Sequence, residues 1–89
     1  MQTLLIVEDE KLIRKGIAAM ASRSPVHIDE ILECRNGEEA MKILRSRKID
    51  TVFMDIRMPK MDGLELARQM ETLEEKPDVV VISGYDDFN

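Results

Sequence analysis

The chain has 89 residues, enough for one domain, and because 44% are hydrophobic but only 3% aromatic, its core must be aliphatic. Its net charge of −5 argues against a nucleic-acid surface, which would need a basic patch to release phosphate counterions. The single cysteine, Cys34, excludes an internal disulfide, and we interpret it as a small buried hydrophobic residue in a reducing compartment. No apolar run approaches a membrane span and the N-terminus lacks a signal-peptide pattern, so we expect a cytoplasmic protein.

The first half of the chain predicts two strands and two helices. Thr3 to Val7 is short, apolar and β-branched, which indicates a buried strand. Lys11 to about Ser22 has helical spacing of its apolar residues, with three basic residues on the other side: Leu12, Ile13, Ile17, Met20 and Ala21 against Lys11, Arg14 and Lys15. His27 to Cys34 predicts a second strand. Asn36 then caps a helix, with Glu39 in the capping-box position and an apolar face of Ala40, Met41, Ile43 and Leu44.

The second half continues the alternation. Ile49 to Met54 predicts the third strand, and Asp62 with Glu65 repeats the capping pattern at the start of a helix. The apolar set of that helix is Leu64, Leu66, Ala67, Met70 and Leu73. Val79 to Ile82, the most β-prone stretch, is the fourth strand. The order βαβαβαβ predicts an α/β fold, an open parallel sheet with helices on both faces and right-handed crossovers.

Polar residues gather where the predicted strands end. The first strand ends at Glu8 and Asp9, the third at Asp55 and the fourth at Ser83, and the carboxyl ends of parallel strands form one ligand-binding edge. Carboxylates packed together repel each other, and Mg²⁺, which prefers oxygen ligands, would relieve that repulsion. An aspartate can then act as a nucleophile toward a phosphoryl group, and Ser83 can hydrogen-bond a phosphoryl oxygen. We therefore predict Asp55 as the reactive acid.

Three stretches carry a family resemblance that spans essentially the whole chain: LLIVEDE, FMDIRMPKMDG and VVVISGYDD. They resemble the acidic pair, the phosphoacceptor strand and loop, and the switch strand of receiver domains in two-component response regulators. The resemblance implies that Asp55 is the phosphoacceptor, that Asp9 binds Mg²⁺ directly and Glu8 largely through water, and that the Arg57 carbonyl is a further ligand. It also implies that Ser83 is the switch residue, that a sensor histidine kinase is the donor, and that the domain catalyses its own phosphorylation and dephosphorylation.

The chain departs from the family pattern at its C-terminal end. The family has a flavodoxin-like fold of five strands and five helices, so we expect residues 1–89 to be a receiver domain without its last strand, that strand's lysine and its last two helices. No effector domain is expected within these residues, although SGYDDFN resembles receivers joined to AraC-type DNA-binding domains. The fourth strand would then form an exposed apolar edge, which predicts self-association or exchange of elements between copies.

Simpler explanations exist for several of these residues. Glu8 and Asp9 could be first-turn acids that favour the helix dipole, and Asp62 is best explained as a cap. His27, a lone histidine at a strand start, is expected to be exposed or satisfied. Two other functions stay open: a phosphatase of the aspartate-nucleophile kind, which would need an acid where Arg57 stands, and an interaction or self-assembly module that only binds a cation.

Overall fold

The computed structural model describes residues 1–55 and 63–82 of the chain. Seven elements alternate in the order that the sequence predicts. They are β1 (Thr3–Val7), α1 (Lys11–Ser22), β2 (Glu30–Cys34), α2 (Gly37–Ser46), β3 (Thr51–Asp55), α3 (Gly63–Met70) and β4 (Asp78–Ile82). No helix in this described part of the chain is both long and apolar enough to span a membrane.

The four strands form one parallel sheet in the order β2-β1-β3-β4. β1 is the most buried strand, since all five of its residues are buried. Its last residue, Val7, pairs with Cys34 on one side and with Met54 on the other. The ends of three strands therefore lie level at one edge of the sheet, as expected for an open parallel α/β fold.

Helices cover both faces of the sheet. Alternate residues of the central strands pack with α2 and α3 in the main core, which contains Leu5, Val7, Val52, Met54, Ala40, Met41, Leu44, Leu66 and Met70. Successive side chains of a strand point to opposite faces, so Ile6 and Glu33 face the other side, where α1 packs on β1 and β2. The predicted α/β architecture with helices on both faces is confirmed.

The orientation of α1 differs from the prediction. Arg14, predicted on the outer side, is buried with 9% of its surface exposed, whereas Leu12 is 88% exposed and Met20 is 62% exposed. The reason is a polar contact between α1 and the face of the sheet that it covers, because the Arg14 guanidinium forms an ion pair with Glu33 of β2. A reading of apolar periodicity gives no weight to such a pair.

Two strands begin later than predicted. β2 starts at Glu30 rather than His27, because the Gln2 carbonyl accepts the Asp29 and Glu30 N–H groups at 2.8 and 3.2 Å and so fixes the entry to the strand. β3 starts at Thr51 rather than Ile49 and ends on Asp55 itself. Just before β3, Asp50 accepts the Thr3 N–H at 2.8 Å with its carboxylate.

Side-chain caps were predicted at the starts of α2 and α3, and the described residues include the first of them. The Asn36 side chain accepts the Glu39 N–H at 2.9 Å, which confirms the predicted cap of α2. Asp62, the predicted cap of α3, lies outside the described residues. Within α3, Leu66 is fully buried as predicted, but Leu64 is 68% exposed and does not belong to the core.

β4 pairs only with β3 among the described strands and so stands at the edge of the sheet. Its three valines keep much of their surface in solvent, since Val79 is 41%, Val80 45% and Val81 48% exposed. The predicted exposure of this apolar strand is confirmed.

Candidate functional site

The register of the sheet brings the acids of two strands together. Val7 of β1 pairs with Met54 of β3, and each is followed directly by an acid, Glu8 and Asp55. Asp9 follows Glu8 and is exposed. The predicted juxtaposition of two strand ends far apart in sequence is therefore present in the fold.

Glu8 is the buried member of this group, with only 2% of its surface exposed. One carboxylate oxygen, Oε2, accepts the Glu10 N–H at 2.9 Å. The Glu8 N–H donates to the Cys34 carbonyl at 3.1 Å, and its own carbonyl accepts Nη1 of Arg14 at 2.9 Å. The main chain of Glu8 is thus held from both sides, by β2 and by α1.

The electrostatics of Glu8 indicate a crowded negative site. Burial raises the pKa of the Glu8 carboxyl to about 7, against the lowering effect of the Glu10 N–H. Asp9 and Asp55 add to the rise, Asp9 through a hydrogen bond to the carboxyl and both through their negative charges. A carboxyl that is hard to ionise beside two other acids is the situation that a bound cation would relieve.

The donor chemistry fits a hard divalent cation. Glu8, Asp9 and Asp55 offer carboxylate oxygens, the ligands that Mg²⁺ prefers, and Mg²⁺ commonly takes only one or two carboxylates and completes its shell with water. In residues 1–55 and 63–82, no three histidine, cysteine, aspartate or glutamate side chains form a group that could hold a metal ion by themselves. The set that the sequence predicts also includes a backbone carbonyl and waters.

Two of the predicted site residues, Arg57 and Ser83, lie outside the described residues. What the structure does place is the strand that leads to Ser83. Ile82, the last residue of β4, pairs with Asp55 across the sheet. Ser83 follows Ile82 in the sequence, and its place in the site stays a prediction.

Cys34 is buried and His27 is exposed, as the sequence predicts. Cys34 is buried with 4% exposure, and burial raises the pKa of its thiol to about 12, so it is present as the neutral thiol. The His27 ring is 80% exposed and its Nε2 lies 2.6 Å from an Asp29 carboxylate oxygen.

Sequence reasoning missed Arg14, which contacts the main chain of the acidic pair. The signal was available in part, because a charged residue, Glu33, stands between the apolar residues Leu32 and Cys34 of β2. A partly buried charge favours a partner, but the sequence does not show which basic residue of α1 faces it.

Comparison with known proteins places the same motifs in one family. The family model described as response regulator receiver domain matches residues 4–89. An uncharacterized response regulatory protein of Vibrio cholerae is 34% identical over 86 residues, which are 97% of this chain and 33% of that protein. The positive alginate biosynthesis regulatory protein of Pseudomonas aeruginosa is 38% identical over 87 residues, 96% of this chain and 34% of that protein. The chain thus spans about a third of the length of these relatives.

Solved structures give the same result. A two-component transcriptional regulator AraC from Clostridium phytofermentans superposes with a TM-score of 0.86 at 34% identity, covering 98% of this chain and 70% of that one. The response regulator protein TrrA from Thermotoga maritima, in complex with Mg²⁺-BeF, superposes with a TM-score of 0.84 at 30% identity. That match covers 100% of this chain and 75% of the other.

Proposed function

The chain belongs to the response regulator receiver domain family of two-component signalling, and we propose that it accepts a phosphoryl group on Asp55 in a Mg²⁺-dependent reaction. The donor is a phosphohistidine of a sensor histidine kinase. The observation that carries the proposal is the placement of Asp55 beside the acids that follow β1, close enough for its charge to raise the pKa of Glu8.

In the proposed reaction, a carboxylate oxygen of Asp55 forms a bond to phosphorus while the P–N bond of the donor breaks. The electron pair of that bond returns to the imidazole nitrogen, and an acyl-phosphate is formed. Asp55 suits this role because β3 fixes it at the carboxyl edge of the sheet and leaves it partly exposed. A partner's phosphohistidine can therefore reach it.

Asp9 and Glu8 would hold Mg²⁺ beside Asp55, Asp9 directly and Glu8 largely through water, and the Arg57 carbonyl is proposed as a further ligand. When bound, the metal ion neutralises the phosphoryl oxygens during transfer. The buried carboxyl of Glu8 suits an indirect role, since it is 2% exposed and already accepts the Glu10 N–H, whereas Asp9 is exposed. The magnesium complex of the Thermotoga relative supports the choice of metal.

Ser83 is proposed to hydrogen-bond the phosphoryl group and so report its presence. We propose that residues 1–89 act as a receiver domain and that this domain controls an output function. Relatives named as regulators of alginate biosynthesis and of transcription support a transcriptional output.

The test is phosphorylation in the presence of Mg²⁺ and a small-molecule phosphodonor, read as intact mass. We expect a gain of one phosphoryl group that Asp55→Asn abolishes. Asp50→Asn is the matched control, because Asp50 lies at the opposite end of β3 and binds the Thr3 N–H. The proposal is wrong if Asp55→Asn gains the same mass. It is also wrong if neither this chain nor a longer one, extended by the segment present in the similar structures, gains it.

A second candidate function is supported by a separate observation. β4 exposes three consecutive valines at the sheet edge, and an apolar edge strand is a template for pairing with another chain. The chain would then act as an interaction or self-assembly module. Phosphorylation of Asp55 distinguishes the first function from a module that only associates.

A further inference from the structure

Arg14 is the buried residue of α1, with its side chain 11% exposed, and it is a charged one. Its guanidinium makes two contacts of different kinds. Nε lies 3.2 Å from Oε1 of Glu33 on β2, and Nη1 donates to the backbone carbonyl of Glu8 at 2.9 Å. An arginine fork can make both bonds at once because its donors are planar and fixed in direction.

The position of the second contact is what matters for function. Glu8 is the first residue after β1, and its carbonyl belongs to the peptide unit that leads into Asp9. The orientation of this peptide sets where the Asp9 side chain leaves the sheet. On its other side Glu8 is held by β2 through the Cys34 carbonyl. Arg14 and Cys34 together define the path of the chain at this point.

We propose that Arg14 is a positioning residue for the divalent-cation site at Glu8 and Asp9. This inference rests on the proposed function, since it assigns a role toward the same metal ion. Arg14 acts by holding the Glu8 carbonyl, and Glu33 acts by holding Arg14. The cation itself would contact neither Arg14 nor Glu33.

The positive charge of Arg14 and its hydrogen bond to the Glu8 carbonyl should change the affinity for a cation in opposite directions, which makes the inference testable. A buried positive charge near a cation site weakens cation binding by repulsion, so removing Arg14 would tighten binding if charge alone mattered. Loss of the fixed Glu8 carbonyl would instead loosen the acidic pair. Residues that orient metal ligands are commonly worth about 10–100-fold in metal affinity. We therefore expect the positional effect to exceed the charge effect.

Lys15 provides the matched control. It is the next residue of α1, and its ammonium lies 3.1 Å from the same Glu33 carboxylate, but its hydrogen bond goes to Glu33 and not to Glu8. Lys15→Met therefore removes a positive charge from the same pair without releasing the Glu8 carbonyl. Arg14→Met removes both, and Arg14→Lys keeps the charge but loses the fork.

Each variant is titrated with MgCl₂, and binding is measured by calorimetry and by the amide NMR signal of Glu10. This signal reports on the site because the Glu10 N–H donates to the Glu8 carboxylate at 2.9 Å. We expect Arg14→Met and Arg14→Lys to weaken Mg²⁺ binding by about tenfold or more and to shift the Glu10 signal. Lys15→Met should bind Mg²⁺ as tightly as the unmodified chain or more tightly.

Each result decides the question. An Arg14 variant that is folded and binds Mg²⁺ with unchanged affinity overturns the inference, because a merely structural arginine would lower stability and leave affinity alone. If Arg14→Met does not fold, Arg14→Lys decides by the same criterion. If the unmodified chain binds no Mg²⁺, the proposed metal site itself is wrong, and an unshifted Glu10 signal in Arg14→Lys would overturn the positioning role as well.

Discussion

Leu64 and Leu66 give the most direct test of the fold around the site. Both belong to α3, both appear in the apolar set that the sequence predicts, and they are two residues apart. The structure separates them, since Leu66 is 0% exposed in the core and Leu64 is 68% exposed. The same substitution, leucine to alanine, should therefore have different effects at the two positions.

For Leu66→Ala we expect a loss of about 3 kcal/mol or more in the free energy of unfolding, because the change removes buried methyl groups and leaves a cavity. For Leu64→Ala we expect a change within about 0.5 kcal/mol, as for other surface substitutions. Leu66→Met, which keeps the volume, should cost less than about 1.5 kcal/mol. The total free energy of unfolding of an 89-residue chain is about 4–13 kcal/mol, so Leu66→Ala should remove a large share of it.

Urea denaturation followed by circular dichroism measures these differences, with the slope of each transition as a check that unfolding stays cooperative. Leu66→Met guards against the case in which Leu66→Ala is unfolded from the start. Equal losses for Leu64→Ala and Leu66→Ala would refute the placement of α3, because they would mean that the helix presents a different face to the sheet.

Three further predictions concern other parts of the chain. Asn36→Ala removes the acceptor of the Glu39 N–H and should cost about 1 kcal/mol, or about 4–8 °C in Tm; an unchanged melting curve would contradict the cap. Hydrogen bonds from the Arg35 N–H and side chain lower the pKa of Glu39 below 4.5, so its contribution to stability is present above about pH 4.5 and is lost as the pH falls further. The stability difference between the unmodified chain and Glu39→Gln should shrink accordingly in urea titrations at decreasing pH, and a constant difference would be contrary evidence. The chain should self-associate through β4, and Val80→Lys should reduce its mass in light scattering; a concentration-independent monomer mass of the unmodified chain would count against this.

The sequence predicts β1 and α1 to their residue bounds because the acids at positions 8–10 stop the apolar run abruptly. It also predicts the cap of α2, because capping depends on residues three positions apart. The predicted start of β3, Ile49, was wrong. The carboxylate of Asp50, just before the strand, instead binds the N–H of Thr3, which lies 47 residues earlier in the chain. Local patterns carry no information about such a contact.

The site residues also separate into those that local patterns predict and those that depend on contacts between distant parts of the chain. The acids Glu8, Asp9 and Asp55 could be chosen because they end apolar strands, and parallel topology then brings them to one edge. Arg14 could not, because its burial depends on how α1 is rotated and on Glu33 in a different element. The exposure of Leu12 follows from the same rotation.

The charged residues that the fold buries also locate the site independently of family resemblance. Burial of a carboxyl or a guanidinium costs free energy, and sequences avoid it where packing alone decides. Among the described residues, the buried charged ones are Glu8 and Arg14, and they meet at the Glu8 carbonyl. The two charged side chains that the fold buries therefore lie at the peptide that leads into Asp9, the acid proposed to bind Mg²⁺ directly.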